Sequence, residues 1–130
     1  MNMEIHILNS ASIAQNVART LTGNYWLGDL SSSGSLIVHY VGRSDTCLHR
    51  RLKEQAAKHK WEAFSFRPTD KFCLPLKEAF DIECREYHLL KPRDNKMHPD
   101  APSGLTNYTC RYCELEANLS SAPVDEGGAY

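Results

Sequence analysis

No stretch of this 130-residue chain is apolar over the length a bilayer demands, and Glu4 and His6 interrupt the N-terminal segment where a secretory leader would lie. The expectation is therefore an intracellular, cytoplasmic protein with no membrane span. An excess of charge of one sign is missing as well. Fifteen Lys and Arg face 16 Asp and Glu, a net charge of −1, which argues against an obligate nucleic-acid-coating protein. The chain has no internal repeat, no coiled-coil heptads and no phosphate-cradling glycine loop, so solenoids, long bundles and P-loop chemistry drop out. Five cysteines make an odd number, and Cys110-Arg-Tyr-Cys113 has the spacing of a metal or redox pair, so a disulfide framework is the weaker explanation.

What is present fits one domain. An apolar fraction of 42% suffices for a packed core at this length. The charges are unevenly placed: four acids follow Arg111, the last basic residue, which leaves residues 1–111 at +3. Residues 43–71 hold eight bases against four acids, and a local excess of that kind is what an anionic partner would feel.

Ser12 and Gln15 have capping-box form, with Ile13, Val17 and Leu21 following at a spacing of four, which predicts a helix over 12–21. The apolar runs 25–27 and 36–41 flank the small polar residues 29–34 and predict a hairpin. Asp45 or Thr46 can cap a second helix that places Leu48, Leu52 and Ala56 on one face, with Arg51 and Gln55 on a neighbouring one. Residues 61–66 read as a third strand. The strongest helix spans 75–90, opened by Pro75 or capped earlier by Asp70. Beyond Lys91, Pro92, Pro99, Pro102 and Gly104 break every period, and residues 114–130 read as an acidic, disordered tail.

Glu83 is the most informative position, because it falls on the stripe formed by Leu76, Ala79, Phe80, Tyr87 and Leu90. A carboxylate on a core-facing stripe is costly unless it is paired, hydrogen-bonded or bound to a cation. Pairing with a basic residue is the plainer of these explanations. Tyr40-Val-Gly-Arg-Ser-Asp45 is the second signal: a strand delivers a phenol, Gly42 allows a tight turn, and a basic helix follows. An arginine in its first turns can offer a phosphate both charge and a two-pronged donor. Taken singly, Tyr40 also fits a sheet residue and Arg50 with Arg51 a solvated face.

Together these pieces resemble the GIY-YIG nuclease family over residues 23–95. Tyr40-Val-Gly42 is similar to the second triplet and Gly23-Asn-Tyr25 to the first. The arginine before Leu52, Arg51 in preference to Arg50, resembles the catalytic arginine, and Glu83 closes a segment like the one carrying the metal-binding glutamate. Asn95 matches the late asparagine, whereas Gln55 stands where some members carry histidine or tyrosine. Tyr25 and Tyr40 are separated by more residues than is usual, which a longer hairpin turn through Ser31–Gly34 accommodates at little entropic cost.

The resemblance implies an α/β (α+β) domain over 1–113, a three-stranded antiparallel sheet flanked by helices, that hydrolyses DNA phosphodiesters with Mg²⁺ or Mn²⁺. It implies Tyr25, Tyr40, Arg51 and Glu83 as catalytic groups, with Glu83 on the cation. Gly42, Arg43, Arg50 and Asn95 would face the DNA. Which tyrosine handles the attacking water stays open, as do the DNA structure preferred, the oligomeric state and a protein partner that supplies specificity.

Cys84 and His88 share a helix face, and with Cys110 and Cys113 they would complete a tetrahedral, structural Zn²⁺ site holding down the irregular segment 84–113, with His98 as a substitute for His88. Buried Cys84 with an unligated Cys110 and Cys113 is the alternative. Cys47 and Cys73 read as packing residues, and His6, His39, His49 and His59 have no partner constellation. The competing functional reading is a non-catalytic nucleic-acid or protein binding module of the same fold, with zinc serving only to stabilise it.

Overall fold

Strand β2 (Gly23–Leu30) lies inside a four-stranded antiparallel sheet of order β1-β4-β2-β3, with β1 (His6–Ile7), β3 (Leu36–Ser44) and β4 (Ala63–Pro68). The computed structural model describes residues 4–69, 75–102 and 110–121. Asp70 and Cys73, read above as a cap and a packing residue, lie outside them. The mixed α/β class is as expected, but the sheet gains a strand. β1 is two residues long, too short to leave a period, and it adds to β4 through His6 opposite Phe64.

Helices α1 (Ser10–Asn16) and α2 (Leu48–Ala56) cover one face of the sheet, and α3 (Pro75–Leu90) covers the other. Side chains alternate along a strand, so Tyr25 and Leu27 join Ile13, Leu48 and Leu52 on the first face, while Trp26 packs with Val41 and Ile82 on the second. That double cover explains why residues 23–28 of β2 are all buried. Wherever such a strand places a functional side chain, it places it rigidly.

Caps explain most boundary differences. Asn9 Oδ1 accepts from the Ser12 backbone N–H at 2.8 Å, starting α1 two residues before the expected capping box, and the helix ends at Asn16. Cys47 Sγ, not Asp45 or Thr46, accepts from the Arg50 N–H at the start of α2, because the Asp45 carboxylate is drawn to Arg43. The acidic composition after Cys113 suggested a disordered tail from 114, yet α4 runs through Arg111–Ser121, with Glu114 in its first turn where the helix dipole favours an acid.

The segment 91–102 has no regular structure but is stitched to the outer edge of β3. Asp94 N–H donates to His39 O at 2.8 Å, and the Asn95 side chain both accepts from Val41 N–H at 2.8 Å and donates to Val41 O at 2.9 Å. An amide thereby mimics a neighbouring strand and covers the sheet edge. No described helix is long and apolar enough to cross a membrane.

Candidate functional site

Two neighbouring constellations carry chemistry. The first is a groove of about 370 Å³ lined by Arg43, Asp45, Thr46, Arg51, Glu83 and Asp100. Arg43 leaves the end of β3 and Glu83 projects from α3, and Arg43 Nη1 donates to Glu83 Oε1 at 2.5 Å. Arg43 Nε also faces both Asp45 oxygens, at 3.1 and 3.2 Å, and its guanidinium lies 5.3 Å over the Phe80 ring. Burial is the largest influence on Glu83 and pushes its carboxyl up to about 7, opposed by Arg43 and assisted by the charges of Asp45 and Asp100. The same two carboxylates outweigh desolvation on Arg43 and hold it charged.

Arg51 reaches the groove from α2, half-exposed, with Glu54 at 3.3 Å. Arg50 points elsewhere, donating to Thr46 Oγ1 at 3.1 Å, and is more exposed than Arg51. The two phenols adjoin the Arg51 side of the groove. Tyr25 and Tyr40 stack with ring centroids 6.2 Å apart and planes 20° from parallel. Gly42 permits this: a Cβ there would lie 2.5 Å from the Tyr25 hydroxyl oxygen. Gln55 Nε2 donates to that oxygen at 2.9 Å. Burial raises both phenols well above their ordinary range, while the charge of Arg51 draws each back, and the Glu83 charge also reaches Tyr40.

Of the residues read from the sequence, Arg43, Arg51 and Glu83 line the groove together, and Tyr25 and Tyr40 stand beside it. Asn95 is engaged by the backbone of Val41. Asp45 and Asp100 also line the groove but went unremarked, since an acid in a loop carries no periodic signal.

The second constellation is a cluster of four donor atoms within 4.8 Å of one another, on His88, His98, Cys110 and Cys113. His88 Nε2 lies 3.3 Å from His98 Nε2 and 3.5 Å from each of the two sulfurs, and Cys113 Sγ lies 3.2 Å from His98 Nε2. Such a His₂Cys₂ group could hold one metal ion. Its membership corrects the sequence expectation, because both histidines take part and Cys84 does not. Cys84 shares a helix face with His88 but sits one turn deeper, buried between Phe80 and Cys110, with its thiol hydrogen-bonded to the Cys110 sulfur. The outward nitrogens are also held: His88 Nδ1 meets Glu116 Oε2 at 2.9 Å, and His98 Nδ1 meets Pro99 O at 2.7 Å. Glu116, missed in the sequence, is held below the ordinary carboxylate range chiefly by this His88 hydrogen bond.

No protein-family model, no curated protein and no solved structure matches this chain.

Proposed function

We propose that this protein is a metal-dependent endonuclease of GIY-YIG type, hydrolysing DNA phosphodiester bonds in the groove between α2 and α3. The observation that carries the reading is that Arg51 from one helix and Glu83 from the other line one groove, beside the stacked Tyr25 and Tyr40. These are the four groups the triplet resemblance singles out, and they come from four separate elements.

The charge of the groove argues for a cation. Two arginines and three carboxylates line it, so it is net negative and repels a phosphodiester unless a cation joins them. Mg²⁺ or Mn²⁺ prefers carboxylate oxygen, and when bound on Glu83 it would supply Lewis-acid stabilisation of the phosphoryl oxygens. Arg51 would add its guanidinium to that stabilisation, and a tyrosine oxygen would orient the attacking water. Arg43, tied to Glu83 and Asp45, fixes where the carboxylate sits. The basic stretch 43–71 supplies a phosphate-facing surface without base readout, so sequence or structure preference would come from a protein partner or from DNA shape.

We further assign the His₂Cys₂ cluster to structural Zn²⁺. Zinc bonds of about 2.0–2.1 Å to nitrogen and about 2.3 Å to sulfur, in tetrahedral geometry, require N···N edges near 3.3 Å and N···S edges near 3.5 Å. The observed edges agree within 0.3 Å. Because each outward Nδ1 faces an acceptor and carries the proton, the two Nε2 lone pairs point at one another across 3.3 Å, an arrangement that calls for a cation between them. Four protein ligands leave no position open for a substrate.

The Arg43–Glu83 hydrogen bond favours a second reading, a binding module in which that glutamate is only half of a structural pair. One assay separates the two. Purified protein is incubated with supercoiled plasmid or branched DNA, with Mg²⁺ or Mn²⁺ and with chelator. The nuclease reading expects metal-dependent strand cleavage that Arg51→Ala abolishes, whereas binding without cleavage supports the module.

A further inference from the structure

Gln55 is buried to 4% exposure at the end of α2, and its two amide atoms are treated differently by the fold. Nε2 donates to the Tyr25 hydroxyl oxygen at 2.9 Å, whereas Oε1 is buried with no hydrogen-bond partner among the described residues. The reverse orientation would leave two N–H donors without acceptors in place of one acceptor without a donor, so the observed one costs less. Even so, an apolar side chain of the same length would bury no orphaned oxygen. A polar group kept at that cost one turn after Arg51, against a phenol, points to a role other than packing.

The direction of the hydrogen bond sets the direction of the next one. With its oxygen accepting from Gln55, the Tyr25 hydroxyl has its own proton to give. Arg51 offers only donors, which leaves the neighbouring Tyr40 oxygen, and Tyr40 in turn feels hydrogen bonds from both Tyr25 and Gln55. The two phenols are not equivalent in access. Tyr25 is 1% exposed and roofed by Gly42, while Tyr40 is only partly buried and lies within reach of the Glu83 charge.

Resting on the nuclease reading, we propose that Gln55 is a positioning residue of the hydrolytic site: it fixes the Tyr25 hydroxyl as a donor to Tyr40, so that Tyr40 is the tyrosine that receives and orients the attacking water. Tyr25 and Gln55 then form a buried hydrogen-bonding relay that presents the Tyr40 oxygen as an acceptor at the edge of the groove. This resolves the choice between the two phenols and gives the amide a reason to be there. Gln55 itself touches no substrate.

The test is single-turnover and steady-state cleavage of plasmid DNA by full-length wild type, Gln55→Leu, Gln55→Glu and Gln55→His, together with thermal unfolding of each. Gln55→Leu removes the donor and the orphaned oxygen together, so its unfolding midpoint should stay within about 4 °C of wild type. Its kcat should fall on the order of 10²-fold, the scale of a misplaced reacting group, with KM for DNA unchanged within about twofold. Gln55→Glu, which presents acceptors in place of the donor, should fall at least as far, and Gln55→His, whose ring N–H can reach the same oxygen, should recover part of the rate. Tyr40→Phe should lose more rate than Tyr25→Phe. A folded Gln55→Leu that keeps wild-type kcat overturns the proposal, as does Tyr25→Phe being the more damaging of the two. Where wild type itself cleaves nothing, the nuclease reading fails and the proposal fails with it; where wild type cleaves and the Gln55 variants do too, only the proposal fails.

Discussion

Arg43 and Glu83, 40 residues apart in the chain, meet almost out of contact with water, with side chains 11% and 10% exposed. Removing one partner of such a pair leaves a buried charge uncompensated, at a cost of about 3–5 kcal/mol. Arg43→Leu is therefore expected to lower the unfolding free energy by roughly that amount, and Arg43→Leu/Glu83→Leu to recover most of it. Equilibrium denaturation of the three proteins measures the coupling. A single variant as stable as wild type would mean the pair contributes nothing to the fold.

Glu83 also makes stability depend on pH with a definite sign. Burial lifts its carboxyl in the folded protein up to about 7, above the ordinary 4.5. Folding thus favours the neutral acid, and the contribution is complete below the unfolded value and lost as pH rises through about 7. Without Mg²⁺ or Mn²⁺, the stability of wild type relative to Glu83→Gln should decline between about pH 5 and about pH 7.5. A difference that does not vary with pH contradicts this. Because a cation must displace that proton, the Mg²⁺ or Mn²⁺ concentration needed for cleavage should increase below about pH 7.

The metal cluster separates His98 from Cys84. Elemental analysis should find one zinc per chain in wild type and in Cys84→Ala, and much less in His98→Ala and Cys113→Ser. Loss of zinc from Cys84→Ala with retention in His98→Ala would restore the ligand set expected from sequence. Because the ion ties α3, α4 and the segment after Lys91 together, chelation should unfold that region before the sheet, as amide exchange would report.

Asn95 is expected to act on stability. Asn95→Ala strips Val41, itself 1% exposed, of partners for both its N–H and its C=O, costing about 2 kcal/mol. Denaturation checks the loss, and faster exchange of the Val41 amide locates it.

Gly42 carries the sharpest steric prediction. The Cβ of Gly42→Ala would approach Tyr25 Cζ and Oη to 2.5 Å, so the phenol must move. Overpacking of this kind costs about 1–3 kcal/mol, and the displaced ring should reduce cleavage further than the stability loss explains. Unchanged activity in a folded Gly42→Ala would detach the Tyr25 position from the chemistry.

Much of this arrangement was legible before any coordinates. Periodicity located α3 from Pro75 to Leu90 because its apolar stripe is long, and the same stripe made Glu83 conspicuous. The two-residue strand β1 could not be read, since its only structure is its pairing with β4. Cys84 was taken for a ligand because a spacing of four places it on the His88 face; how deep a residue lies along a helix is set by what packs on it, here Phe80. Asp100 and Glu116 were invisible for a related reason: a loop acid and a helix-surface acid gain meaning only from a neighbour distant in sequence. The direction of the Gln55 amide is likewise a property of the folded core.

The most direct measurement is plasmid cleavage by Glu83→Gln beside wild type in Mg²⁺ or Mn²⁺, with folding of both verified by circular dichroism. The account predicts nicking or linearisation by wild type, suppressed by chelator, and none by the folded variant. Cleavage by Glu83→Gln at the wild-type rate would contradict it.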